Sequence, residues 1–316
     1  MNGDVSSPVE ISVVIPCYNE QDNVVPIAAA IIEVLERIGV TFDLIFIDNF
    51  SADATVERIR TLCASDARIR LIANARNFGQ MRSPVHAVYA SKGKAVIGIA
   101  ADFQDPPELI AHFIERWRAG ADIVLGVRQS EPTSLIHGIA RSFSYWFAKN
   151  FGDYPVIPNA TGFGLYDRRV VSAVATMREP EPFWRGLAIE TGYTVETIEY
   201  KRPERARGKS NNNFFTLFDF AVSALSSFSK KTIRLPFAAA LIFGVLSMLS
   251  FIAVPFAAFA GQSFVVWLII GVVEFQFALL FGFLGLIGDQ VRLVSERTRN
   301  APLVFERERI NFPEGY

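Results

Sequence analysis

The sequence predicts an α/β protein built on a mixed, mainly parallel sheet, followed by an interfacial helix and a two-helix transmembrane hairpin. Three observations predict it. Short apolar runs rich in β-branched residues alternate with amphipathic helical stretches in the N-terminal part, polar residues gather just after those runs, and the C-terminal part turns sharply apolar. Alternating strands and helices imply parallel pairing with helical crossovers. In such sheets ligands bind beyond the carboxyl ends of the strands, which is where the polar residues fall.

The elements follow in order. Ile11–Ile15 is a β-branched run that ends at Pro16 and reads as a buried strand. Val24–Ile38 has apolar residues at helical spacing, with Asp22 or Asn23 as candidate cap and Pro26 in its first turn. Phe42–Ile47 is a second strand, followed by DNFSADAT and a helix from about Ala54 to Cys63, whose start Asn49, Ser51 and Asp53 can serve. Ile69–Ala73, a helix around Ser83–Ala90 and a strand over Ala95–Ala100 complete the alternation. In Ile97–Glu108, IGIAADFQDPPE, an apolar strand ends in two carboxylates, an amide and a double proline. Such oxygen ligands suit Mg²⁺ or Mn²⁺. Asp105 reads as the cap of a helix beginning near Pro106.

Pro236–Ala260 contains no charged residue and Phe264–Gly288 contains only Glu274. Each run is longer than the ~20 residues that cross a bilayer as a helix. Gly261, Gln262 and Ser263 leave room for a tight turn only. Lys230, Lys231 and Arg234 precede the pair, and Arg292, Arg297 and Arg299 follow it, so both flanks and the N-terminal domain are expected in the cytoplasm. Glu274 is expected to face protein or a polar cavity near mid-membrane, in a pairing, oligomer-contact or lipid-phosphate role. In Asn213–Ser229, Phe214, Leu217, Phe218, Ala221, Leu225 and Phe228 recur at helical spacing. That pattern fits a helix lying on the membrane or one packed against the soluble domain. The expected organisation is a cytoplasmic domain over 1–212, an interfacial helix over 213–234, a hairpin over 235–289 with spans at about 236–260 and 264–288, and a cytoplasmic tail over 290–316.

Several function classes lose support. The net charge of −1 gives no field for nucleic acid. Cys17 and Cys63 cannot build a multi-bridge framework, which fits a reducing compartment. The N-terminus, MNGDVSSPVE, lacks the basic and apolar regions of a secretory signal. No GxGxxG follows the first strand, no GxxxxGK[ST] or HExxH is present, and His86, His112 and His137 show no metal-ligand spacing.

The order of motifs resembles a family. VVIPCYNE at Val13–Glu20, IDNFSADAT at Ile47–Thr55, RNFGQ at Arg76–Gln80 and AADFQDPPE at Ala100–Glu108 resemble family 2 glycosyltransferases with a GT-A (Rossmann-like) fold. GVR at Gly126–Arg128, FWRGL at Phe183–Leu187, ERARGKS at Glu204–Ser210 and the terminal hairpin narrow the resemblance to polyprenyl-phosphate glycosyltransferases, the group of dolichol-phosphate mannose synthase and the bactoprenol glucosyltransferases. The resemblance implies metal-dependent transfer of one sugar from a UDP-type donor to a polyprenyl (undecaprenyl) phosphate, with inversion, in the cell envelope. It implies an integral membrane protein, of the inner membrane if the source is bacterial, that assembles as a homo-oligomer, commonly a tetramer. Pro16, Tyr18, Glu20 and Asp48 match the nucleotide site, and Asp102 and Gln104 match the last two positions of the DxDxQ metal site, Asp102 also lying beside the nucleotide. Arg128 and Arg141 are the candidates for the acceptor phosphate and, with Asp102, for the catalytic set. Arg205 and Lys209 match a basic loop that closes over phosphates, although attraction to anionic lipid also fits that loop.

The chain departs from the family at named positions. Ala100 stands at the first Asp of DxD, Asn49 and Phe50 stand where many relatives carry DG, and Gly162 and Gly164 replace the Asp and Arg of an NAGDFRLLDR-like segment. The Asp at the position of Gly162 is a candidate general base in relatives. A phosphate acceptor is already an oxyanion and does without one, so activity is expected with a weaker metal site and a reshaped sugar pocket. The alternative is a non-catalytic nucleotide-sugar-binding or scaffold relative of the same fold. A processive polysaccharide synthase is disfavoured, because QxxRW and further spans are missing.

Overall fold

The computed structural model describes residues 9–129, 157–201 and 301–313, together with scattered positions between Gln276 and Thr298. The chain divides into two units, one formed by 1–145, 154–211 and 301–316, the other by 146–153 and 212–300.

The first unit carries an eight-stranded sheet. Its strands are β1 (Ile11–Cys17), β2 (Phe42–Asp48), β3 (Ile69–Asn74), β4 (Ala95–Gly98), β5 (Ile123–Arg128), β6 (Ala160–Asp167), β7 (Val195–Tyr200) and β8 (Glu306–Ile310), in the spatial order β7-β5-β6-β4-β1-β2-β3-β8. Strands β4, β1, β2 and β3 are mutually parallel, and β7 is parallel to β5. β6 runs antiparallel between β4 and β5, and β8 antiparallel along β3. The mixed, mainly parallel sheet expected from the alternation is present.

The helices are α1 (Val24–Ile38), α2 (Thr55–Ser65), α3 (Gly79–Ala90), α4 (Leu109–Arg118), α5 (Arg168–Thr176) and α6 (Trp184–Glu190). Alternate side chains of each strand feed two cores. Val13, Ile15, Leu44, Phe46 and Leu71 pack with α1, α2 and α4 on one face, while Val14, Ile45, Ile47 and Ile72 pack with α3, α5 and α6 on the other. Strands covered on both faces are apolar throughout, which is why β2 and β3 are buried at every position. In α1, Val24, Ile27, Ile31, Val34 and Leu35 are buried on one stripe, each contributing about 1.5–3 kcal/mol. Gly39 ends that helix at φ 73°, the left-handed turn that glycine adopts without strain.

Several local expectations are corrected. Asn23 occupies the N-cap position of α1, but its side chain donates to Glu20 Oε2 at 2.6 Å instead of capping, and Asp22 pairs with Arg58 at 3.2 Å. β4 ends at Gly98 instead of Ala100, with Ile99 N–H still donating to Val14 O. Asp105 does not cap α4, which begins at Leu109 after turns on the carbonyls of Pro106 and Pro107. The segment expected as a tail over 290–316 contributes β8, and described positions from Gln290 to Thr298 are helical.

The segments expected as the interfacial helix, the first span and most of the second lie outside the described residues. Among the described residues no helix is long and apolar enough to cross a membrane.

Candidate active site

Three loops leave the carboxyl ends of β1, β2 and β3, and their polar side chains lace them together. After β1, Asn19 N–H donates to Ser51 Oγ at 2.9 Å, and Asn19 Oδ1 accepts from Ala52 N at 2.9 Å. Glu20 N–H donates to Thr55 Oγ1, Gln21 N–H donates to Asp53 Oδ2, and Gln21 Oε1 accepts from Ala54 N. Asp53 Oδ1 also accepts from Thr55 N–H at 3.0 Å, serving the start of α2 as the sequence suggested.

Asp48 ends β2 fully buried. Its Oδ2 accepts from the backbone N–H groups of Phe50 and Ser51 at 3.1 and 3.0 Å, and its Oδ1 accepts from Ser51 Oγ. The carboxylate therefore builds the turn that carries Phe50. Asn49 reaches the next loop. Its Nδ2 donates to Asn77 Oδ1 at 2.9 Å and Gly79 O at 3.3 Å, and its Oδ1 accepts from Asn74 Nδ2 at 3.1 Å and Phe78 N–H at 2.9 Å. An amide both donates and accepts here, which a carboxylate cannot do.

Tyr18 is 41% exposed at the end of β1, and Pro16 and Glu20 are partly exposed beside it. Cys17 is buried between them. Burial, and then Asp48, push its thiol well above the usual range.

The loop after β4 carries Asp102, Gln104 and Asp105. Asp102 Oδ1 accepts from Gln104 N–H at 3.2 Å, which folds the turn back on itself around Phe103 at φ 59°. Both candidate ligand side chains are partly exposed. A carboxylate and an amide oxygen are hard donors. Among the described residues no group of three His, Cys, Asp or Glu side chains could hold an ion. As hard oxygen donors, Asp102 and Gln104 suit Mg²⁺ or Mn²⁺ when substrate phosphates and water complete the coordination.

Asp105 turns inward. It is 4% exposed and accepts from Tyr200 Oη at 2.6 Å and from Arg128 Nη2 at 3.3 Å, while Arg128 Nε donates to Tyr200 Oη at 3.2 Å. Burial lowers the affinity of Arg128 for its proton, but Tyr200 and Asp105 more than offset this, and Arg128 ends above its ordinary value. Burial and the Asp105 charge both raise Tyr200. The triad ties the ends of β5 and β7 to the candidate metal loop. Sequence reasoning missed Tyr200, because its partner lies far away along the chain.

Two departures from the resemblance lie just beyond, or within, neighbouring strands: Ala100 follows β4, and Gly162 is in β6. Gly98, the last residue of β4, pairs with Gly164 of β6, and the ladder ends there. Gly162 has φ +94°, and a Cβ there would lie 3.5 Å from Cγ of Arg185, whose Nη1 donates to Ala160 O. Gly164 is different: a Cβ would sit 2.5 Å from the Val124 carbonyl oxygen. Strand packing explains that glycine, so the expectation that it reshapes a sugar pocket is corrected.

Arg141, Arg205 and Lys209 lie outside the described residues. Asp102, Gln104 and Arg128 are joined through Asp105, and Pro16, Tyr18, Glu20 and Asp48 form a second cluster at the ends of β1 and β2.

The chain as a whole is similar to known proteins. The family model described as glycosyl transferase family 2 matches residues 12–174. An uncharacterized glycosyltransferase of Synechocystis is 33% identical over 70% of this chain and 70% of its own length. The bactoprenol glucosyl transferase of Shigella phage SfV is 33% identical over 72% of this chain and 74% of its own. Among solved structures, glucosyl-3-phosphoglycerate synthase of Mycobacterium tuberculosis is similar at a TM-score of 0.46 and 17% identity, over 69% of this chain and 78% of that one.

Proposed function

Because the chain belongs to glycosyl transferase family 2, we propose that it is a membrane-bound glycosyltransferase that moves one sugar from a UDP-type donor to a polyprenyl phosphate on the cytoplasmic side. The observation that carries this reading is the union, at the carboxyl ends of the strands, of the Asp102–Gln104 turn with Arg128 through buried Asp105. In this reading the residues assigned to the donor diphosphate and to the acceptor phosphate share one hydrogen-bonded frame. The 33% identity to a bactoprenol glucosyl transferase supports a lipid phosphate as acceptor.

In this reading a phosphate oxygen of the acceptor attacks C1 of the donor sugar. The new O–C1 bond forms as the bond from C1 to the nucleotide diphosphate breaks, and the anomeric centre inverts. The attacking atom is already anionic, so the missing carboxylate at Gly162 removes a group worth ~10²–10⁴-fold to a neutral hydroxyl acceptor but of little use here. Pro16, Tyr18, Glu20 and the Asp48 turn hold the nucleoside. Arg128, fixed by Asp105 and Tyr200, orients the acceptor phosphate by its planar fork of donors. A divalent cation held by Asp102 and Gln104 would supply positive charge to the departing diphosphate. Arg141, Arg205 and Lys209 are assigned to the acceptor phosphate and the donor phosphates, the hairpin over 235–289 to the bilayer, and a homo-oligomer to the assembled state.

The test is direct. Full-length protein in membranes is incubated with radiolabelled UDP-sugars, Mn²⁺ and undecaprenyl phosphate, and lipid-linked radioactivity is extracted. One donor is expected to label the lipid, and Asp102→Ala to lose that product. No lipid-linked product with any UDP-, GDP- or dTDP-sugar would favour the non-catalytic relative, and undiminished turnover in Asp102→Ala would remove the metal role.

A further inference from the structure

We propose that Phe50 is a base-stacking residue that, together with Tyr18, receives the flat nucleobase of the donor; this deepens the nucleotide-sugar reading above and rests on it. The starting observation is a strained, exposed ring. Phe50 adopts φ +72° and is 47% exposed. Bulky side chains rarely take the left-handed region, whereas Asn does so with local hydrogen bonding. Among the described residues at positive φ other than glycine, three are Asn19, Asn159 and Asn311, and the two aromatic ones are Phe50 and Phe103. Phe103 packs against the main core, which offsets its strain. Phe50 belongs to neither core cluster.

The turn itself does not need the ring. Asp48 accepts from the backbone N–H groups of residues 50 and 51, and a glycine at 50 would make the same bonds without strain. The ring is instead held out where β1 and β2 end side by side, with Cys17 opposite Asp48 in register. Tyr18, 41% exposed, leaves β1 at the same level. The hydrogen bonds of Asn19 to Ser51 and Ala52 fasten the two aromatic residues' loops to each other. Two exposed aromatic residues on cross-braced loops, next to a strand end that carries a buried carboxylate, offer apolar faces to a planar heteroaromatic group. Every base offers such a face. An exposed bulky side chain in a costly backbone conformation at a binding edge is where function is to be sought.

The experiment uses full-length protein in detergent with Mn²⁺ and follows calorimetric binding of UDP and of pyrophosphate, a probe without a base. Phe50→Gly is expected to weaken UDP roughly tenfold, to leave pyrophosphate binding unchanged and to raise the melting temperature by a few degrees, roughly. Phe50→Trp is expected to keep UDP affinity. Wild-type binding of UDP with an unchanged Phe50→Gly variant overturns the proposal alone, as does equal weakening of UDP and pyrophosphate. A wild-type protein that binds no nucleoside diphosphate would overturn the functional reading, and the proposal with it.

Discussion

Tyr200 donates its phenolic hydrogen to Asp105 at 2.6 Å in a buried contact that joins the last residue of β7 to the loop after β4. Arg128 bonds both partners, so three residues from three segments hold one geometry. Removing one member leaves another polar group buried without its partner, which costs about 1–3 kcal/mol. Tyr200→Phe is therefore expected to lower stability by about that amount. It is also expected to raise the KM for the acceptor lipid more than it lowers kcat, because Arg128 keeps its charge but loses its orientation. Thermal unfolding and acceptor titration check the two parts, and Asp105→Asn should show the same split more strongly.

Asn49 is a second point at which one atom decides the outcome. Its Nδ2 donates to Asn77 Oδ1 and to the Gly79 carbonyl. Asn49→Asp, which restores the acidic residue that many relatives carry, would set a carboxylate oxygen against those two acceptors. The variant is expected to be destabilised by about 1–3 kcal/mol, with the loss of structure beginning in residues 74–83. Denaturant unfolding and hydrogen exchange measure this. An unchanged midpoint would show that the loops rearrange freely.

These two networks mark what was legible in the sequence. β1 to β4 and α1 to α3 were readable because apolar periodicity is a local signal, and the polar residues expected after the strands lie in the loops that leave their carboxyl ends. β8 was not readable. ERERI has no apolar alternation, and its side chains are fixed by Arg60 and His86, which lie far back in the chain. Asp105 looked like a cap because a carboxylate before prolines usually is one; only the fold brings Tyr200 to it. Gly164 looked like a change in chemistry, and its cause proved to be the Val124 carbonyl on the neighbouring strand.

That contrast gives a prediction for the two β6 glycines. Gly164→Ala forces a Cβ to within 2.5 Å of a backbone oxygen, and a shift of strand β5 or β6 is expected to cost about 1–3 kcal/mol. At Gly162 the space is adequate and the backbone is not: with φ +94°, Gly162→Ala is expected to cost about 1–2 kcal/mol from strain alone. Far-ultraviolet circular dichroism melts compare them, and a neutral Gly164→Ala would contradict the register of β6 against β5.

Ala100 lies in the loop after β4, two residues before Asp102. Ala100→Asp adds a carboxylate beside Asp102 without the backbone strain of position 162. Tighter Mn²⁺ binding is expected, by roughly tenfold for one added hard ligand, read from the loss of free-ion electron paramagnetic resonance signal as protein is added. The measurement does not depend on turnover. Unchanged Mn²⁺ affinity would show that position 100 does not face the Asp102–Gln104 turn.

The last prediction concerns acid. Glu306 of β8 contacts His86 of α3 at 2.5 Å and accepts from Arg309 at 2.6 and 2.8 Å. Burial by itself raises its pKa, but the bonds from His86 and Arg309 outweigh it, and the carboxyl is pushed down to about 2 from an ordinary 4.5. Glu308, hydrogen-bonded by Arg60, is also lowered. A carboxylate with a depressed folded-state pKa stabilises the fold fully above its unfolded value and loses that contribution as pH falls toward the folded one. Between about pH 4.5 and 2, β8 should therefore loosen from β3 before the central strands do. Hydrogen exchange over residues 304–312 is expected to accelerate through that window while residues 42–48 stay protected. Glu306→Gln should shift the loosening to higher pH and reduce its steepness. Equal protection of both segments throughout would show that the edge strand does not depend on this charge.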